Sequence, residues 1–203
     1  MKKRLALVLF IATFLLCRIA MATDYLEIKG DYKTLCLGDT KEIVLEKVKH
    51  LDYTGEINKS NDFPASYFTV KGVFEDIRET NVSLQYYQDR LYEIKLWSRY
   101  YSALDVDGAI KHILLKRIKP LFIELYGEPV KEYKYPDFTK VLKQDQPIVV
   151  WNSGEKIITL LVEKYQSQYG PVILIQDKAL LMLKEKTEQQ AFQETQKQIK
   201  GDF

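Results

Sequence analysis

Two hydrophobic periods run through this chain. The first is strict alternation. Val82-Ser83-Leu84-Gln85-Tyr86 alternates apolar and polar, and after Gln88-Asp89-Arg90 the pattern resumes in Tyr92-Glu93-Ile94-Lys95-Leu96. Period-two runs on either side of a short polar turn predict a β-hairpin with Val82, Leu84, Tyr86, Tyr92, Ile94 and Leu96 on its buried face. The second period is helical. Ile110, Ile113, Leu114, Ile118, Leu121 and Leu125 form a stripe that predicts a helix over residues 106–126, with Asp105 or Asp107 as its cap. Pro120 lacks an amide and clashes with the preceding turn, so a kink or break is expected near Lys119. Gly127 with Pro129 is a helix stop. A shorter helix over 40–48 opens on Asp39, with Glu42 three residues on to complete a capping box.

The weaker signals fill in around these. Residues 25–28 and 35–37 read as strands, residues 52–65 as a long turn-rich loop, and residues 66–70 and 73–77 as strands. Residues 130–147 read as a loop rich in tyrosine and lysine. A second hairpin is expected from residues 148–151 and 156–162 around Asn152-Ser153-Gly154, followed by a strand at 172–175. Asp177 caps a last helix, apolar at Leu180, Leu181 and Leu183, which turns glutamine- and lysine-rich from Glu185 and should fray beyond Phe192. Each half thus runs helix, then antiparallel strands. The class is α+β, with units at 23–104 and 105–184 packed as one domain, an internal duplication, and a polar helical tail at 185–203.

The first 22 residues have the three parts of a cleavable export signal: Lys2, Lys3 and Arg4, then an apolar stretch over 5–16, then Ala20-Met21-Ala22. Twelve residues fall well short of the roughly 20 that span a bilayer as a helix. The expectation is an extracytoplasmic protein, periplasmic or secreted, with no integral membrane segment after cleavage. Cys17 is preceded by Leu16 rather than a small residue, which argues against lipidation. Cleavage removes four of the 30 basic residues and none of the 28 acidic ones, leaving 26 against 28 and a charge of −2. That balance gives no case for nucleic-acid binding. Cys36 remains without a disulfide partner and suits a small buried hydrophobe.

Two segments carry a family likeness. Leu37-Gly38-Asp39-Thr40-Lys41-Glu42-Ile43-Val44, and Tyr126-Gly127-Glu128-Pro129 ahead of Trp151-Asn152-Ser153-Gly154, resemble exported α/β modules typified by β-lactamase inhibitor protein and the small lipoproteins of outer-membrane protein assembly. Position 39 is Asp where that motif usually carries methionine, and the lipid-attachment cysteine is missing. The resemblance implies a fold and a habit of protein binding, and it transfers no site.

Recognisable catalytic chemistry is absent. His50 and His112 have no serine, cysteine or carboxylate arrangement aimed at them, no metal-ligand spacing occurs, and no cofactor loop appears among nine glycines. Carboxylates brought together from distant positions would still support an exported enzyme, which is the alternative reading, as is a structural or assembly factor of the envelope. The aromatic excess (14 Tyr, nine Phe, two Trp) points instead to binding another protein. On the hairpin face opposite the core stand Ser83, Gln85, Tyr87, Leu91, Glu93, Lys95 and Trp97, with Tyr100 and Tyr101 just beyond. Tyr87, Trp97 and Tyr101 are the candidate anchors, since exposed aromatics mark interfaces. Alternatively, the last helix or the second unit covers this face and makes Trp97 core.

Overall fold

The structure, a computed structural model, describes residues 34–51, 53–58, 65–70, 80–98, 100–102, 106–138 and 144–201. The expected export signal and the strands expected at 25–28 and 73–77 lie outside those residues. The first half contains α1 (Lys41–Val48), β1 (Tyr53–Asn58), β2 (Ala65–Val70), β3 (Thr80–Tyr87) and β4 (Arg90–Trp97). Next come α2 (Val106–Lys111), a π-helical segment (His112–Ile118) and α3 (Lys119–Tyr126). Then follow β5 (Lys131–Glu132), β6 (Gln146–Ser153), β7 (Lys156–Tyr165), β8 (Gln168–Asp177) and α4 (Lys178–Gly201). The protein is α+β, as the periodicities predict. The eight strands among the described residues form one antiparallel sheet of order β1-β2-β3-β4-β8-β7-β6-β5. The last strands of the two halves meet at its centre, where Glu93 faces Gln176, Lys95 faces Leu174 and Trp97 faces Val172.

One face of this sheet holds the core. Val82, Leu84, Ile94 and Leu96 join Ile158, Leu160, Ile173 and Ile175, and the helices close over them with Val44 and Val48 from α1 and Ile110, Leu114, Ile118 and Phe122 from the long helical stretch. Each such aliphatic side chain contributes about 1.5–3 kcal/mol when fully buried.

Several local expectations are corrected. Residues 53–58 pair with β2 as an edge strand rather than forming a loop, with an irregular register between Thr54 and Asn58. Glycine and polar residues hide such a strand because an edge needs only one neighbour. Likewise Lys131 and Glu132 pair with Val150 and Val149, so the expected 130–147 loop begins with a short strand. The helix does not break at Pro120. Lys119 keeps right-handed helical dihedrals and its amide donates to the carbonyl of Leu114, five residues back. Widening to the π spacing absorbs the missing amide and the steric demand of the ring. Gly127, at φ +78°, ends the helix as expected. Asp39 does not cap α1. Its carboxylate instead accepts from the Cys36 amide at 3.1 Å and pairs with Lys47 at 2.6 Å, and Cys36 is half-buried beside that lysine rather than enclosed. Asp177 does cap the last helix, accepting from the Leu180 amide at 2.9 Å, and that helix runs on to Gly201.

The correction that matters most for the site is a β-bulge. Gln85 faces Glu93, but the next pair is Tyr86 with Leu91, leaving Tyr92 as an extra residue. The extra residue inverts the expected pattern at the hairpin tip: Leu91 enters the core cluster and Tyr92 turns to the opposite face.

Candidate functional site

The face opposite the core is the candidate site. Alternation along β3 and β4 sends Gln85, Tyr87, Glu93, Lys95 and Trp97 outward, and the register adds Gln176, Leu174, Val172 and Gly170 from β8, then Leu161, Glu163 and Tyr165 from β7. Two groups of side chains divide this face.

The first group lies under α4. Tyr92 donates its hydroxyl to Gln85 Oε1 at 2.5 Å, and Gln176 Nε2 donates to Glu93 Oε2 at 2.7 Å. Lys184 of α4 stands 5.6 Å from the centre of the Tyr92 ring, and the Tyr87 hydroxyl donates to Thr187 Oγ1 at 2.8 Å. Glu93 is only 8% exposed. Burial pushes its carboxyl above the ordinary value of 4.5, against the pull of the Gln176 amide and the ammonium groups of Lys95 and Lys184. A carboxyl whose folded-state pKa is raised favours folding while protonated. That contribution is complete below the ordinary value and is lost as pH rises through the raised one. Glu93→Gln should therefore melt at about the same temperature as the wild type near pH 4 and increasingly above it toward pH 8, in thermal scans across that range. A constant difference at every pH would refute the assignment.

The second group crosses β8. Glu163 on β7 forms an ion pair with Lys95 on β4 through Oε1, and its Oε2 accepts the Tyr100 hydroxyl at 2.5 Å. Burial, followed by the hydrogen bond to Glu163, raises the Tyr100 hydroxyl well above the ordinary tyrosine range and keeps it a donor. The bridge passes over Val172, which is fully buried even though it lies on the outer face. Tyr100 can lie there because residue 170 is glycine: a Cβ at that position would sit 2.8 Å from the tyrosine ring. Tyr165, 56% exposed, stacks obliquely against Tyr100 with ring centres 5.5 Å apart, and the Lys95 ammonium is 5.3 Å from the Trp97 ring.

The three anchors read from sequence do not form one patch. Trp97 is half-buried at one end of the β3–β4 ladder, opposite Asn81, and Tyr87 stands at the other end, opposite Arg90. Six residues of strand separate those ends, about 20 Å. Tyr101 faces the core: it bridges Tyr169, whose alternation with Ile173 and Ile175 fixes it on the inner side, and both tyrosines belong to the core cluster. Tyr100 takes the outer position instead. A second hairpin that stops at residue 162 leaves out Glu163 and Tyr165. β7 in fact alternates three residues further, to Tyr165, which places both outward. His50 and His112 are exposed. Among the described residues no cluster of three or more histidine, cysteine or acidic side chains could hold a metal, and no helix is long and apolar enough to cross a membrane. Compared with family models, curated proteins and solved structures, the chain matches none.

Proposed function

We propose that this is an exported protein, free of its first 22 residues, that works by binding another protein of the envelope or surroundings through the outer sheet face around Trp97. The observation that carries the reading is the cluster of Trp97, Tyr100 and Tyr165 on the side of the sheet away from the helical core, with Lys95 and Glu163 beside it. Large rigid rings with polar handles give contact area at low entropic cost. The carboxylate-enzyme alternative draws on Glu93 and Glu163. Both are already engaged by neighbours, Glu93 by Gln176 and Glu163 by Lys95 and Tyr100, which favours binding over catalysis. The matched order of helix and four strands in each half supports an internal duplication and agrees with the resemblance to exported inhibitor and assembly modules.

The test begins with the protein captured from its native envelope together with its partner. Its N-terminus should read Thr23. Trp97→Ala should then weaken that partner's affinity by about 2 kcal/mol, roughly 30-fold, as for an interface hot spot. The half-buried position implies a smaller effect on folding, about 1 kcal/mol. If Trp97→Ala binds as well as the wild type, or costs far more in stability than in affinity, the reading fails.

A further inference from the structure

We infer that α4 is a displaceable strap, hinged at its first turn, that covers one half of the outer sheet face and opens in a local step separate from global unfolding. The inference rests on the reading of that face as the binding surface and names how access to it is regulated.

The hinge is firmly tied. The Lys178 amide donates to the Glu155 carbonyl at 2.9 Å, its ammonium to the Gly154 carbonyl at 2.6 Å, and Asp177 caps the first turn. Beyond the hinge the attachment is thin and mostly polar. A helix held for stability turns its apolar stripe to the sheet. Here Leu180 and Leu181 are half-buried while Met182 is 69% exposed and Leu183 also faces solvent. Among the described residues, the polar contacts beyond the hinge are the Thr187 hydroxyl on Tyr87 and the Lys184 ammonium, which lies over Tyr92, attracts the Glu93 carboxyl and also pairs with Glu188 at 2.9 Å. From Glu185 through Gln196 every side chain is exposed. What lies beneath is unusual for an outer face: Tyr92 is 3% exposed, and with it are the buried carboxylate of Glu93 and the amides of Gln85 and Gln176. Such groups are stable in burial only while every one is partnered, and each can form the same bonds with water or with a ligand. Opening therefore leaves no orphaned polar atom. It also uncovers a row of hydrogen-bonding groups continuous with Lys95 and Trp97, so the strap and a partner compete for one surface.

Native-state amide exchange on the full chain tests this without any partner. Amides over 181–188 should be protected at least about tenfold less than those of β7 and β8, as in a sub-global opening. Tyr87→Phe, which removes only the hydroxyl bonded to Thr187, should speed exchange in that stretch several-fold and leave the β7 and β8 amides unchanged. Equal protection of helix and strands overturns the inference, and so does a uniform response to Tyr87→Phe. Either result leaves the Trp97 affinity test untouched, so failure of the strap and failure of the binding face are told apart.

Discussion

Trp151→Ala should cost about 4 kcal/mol of folding stability, at the centre of the range for deleting a buried aromatic. The indole is 1% exposed and packs edge-on against Phe122, ring centres 5.6 Å apart, so its removal leaves a cavity between β6 and α3. It also deletes the bond from Nε1 to the Gly127 carbonyl at 2.9 Å, which ties the end of α3 to the sheet. For a domain of this size each kcal/mol shifts the melting temperature by about 2–4 °C, so a loss of roughly 8–16 °C is expected in a thermal scan. Trp151→Phe separates the two contributions, because it keeps most of the volume and loses the bond. It should cost about half as much or less. A change below about 1 kcal/mol for the alanine variant would mean that Trp151 is not the pivot between helix and sheet.

Glu163→Ala should come next, at about 2–3 kcal/mol. Removing one partner of a buried ion pair costs about 3–5 kcal/mol, discounted here because Lys95 and Glu163 side chains retain 22% and 17% exposure. The loss comes from what stays behind: a Lys95 ammonium and a Tyr100 hydroxyl without their shared acceptor, above a Val172 no longer roofed. Adding Lys95→Met should restore part of the stability, since a pair removed together leaves no orphaned charge. Denaturant curves on the two single variants and the double variant decide the matter. Strict additivity would show that the bridge is ornamental.

The sequence made the core legible and the outer face only partly so. The stripe from Ile110 to Ile118 and the alternation through Leu84 and Ile94 follow from burial, which imposes a strict period, but the π-helical segment shifts the phase beyond it, so Phe122 enters the core and Leu125 stands 46% exposed. The register inversion at Tyr92 could not be read, because a bulge adds one residue without changing composition. The inward position of Tyr101 is not legible either, because nothing local marks its bridge to Tyr169. The Lys95–Glu163–Tyr100 bridge depends on the pairing of β4 with β8 and β8 with β7, and long-range register leaves no trace in nearby residues.

The central position of β8 has a consequence for the order of synthesis. Glu93 and Gln176 meet across 83 residues of chain, and β8 is the last of the described strands to be made. Until it arrives, β4 has a neighbour on one side only, and an unpaired edge is a template for another chain. Contacts of such sequence separation also form slowly, because the intervening loop must be closed first. The nascent chain therefore passes through a half-sheet whose open edge is the seam of the finished molecule, and a chain truncated before Gln168 would carry that edge permanently.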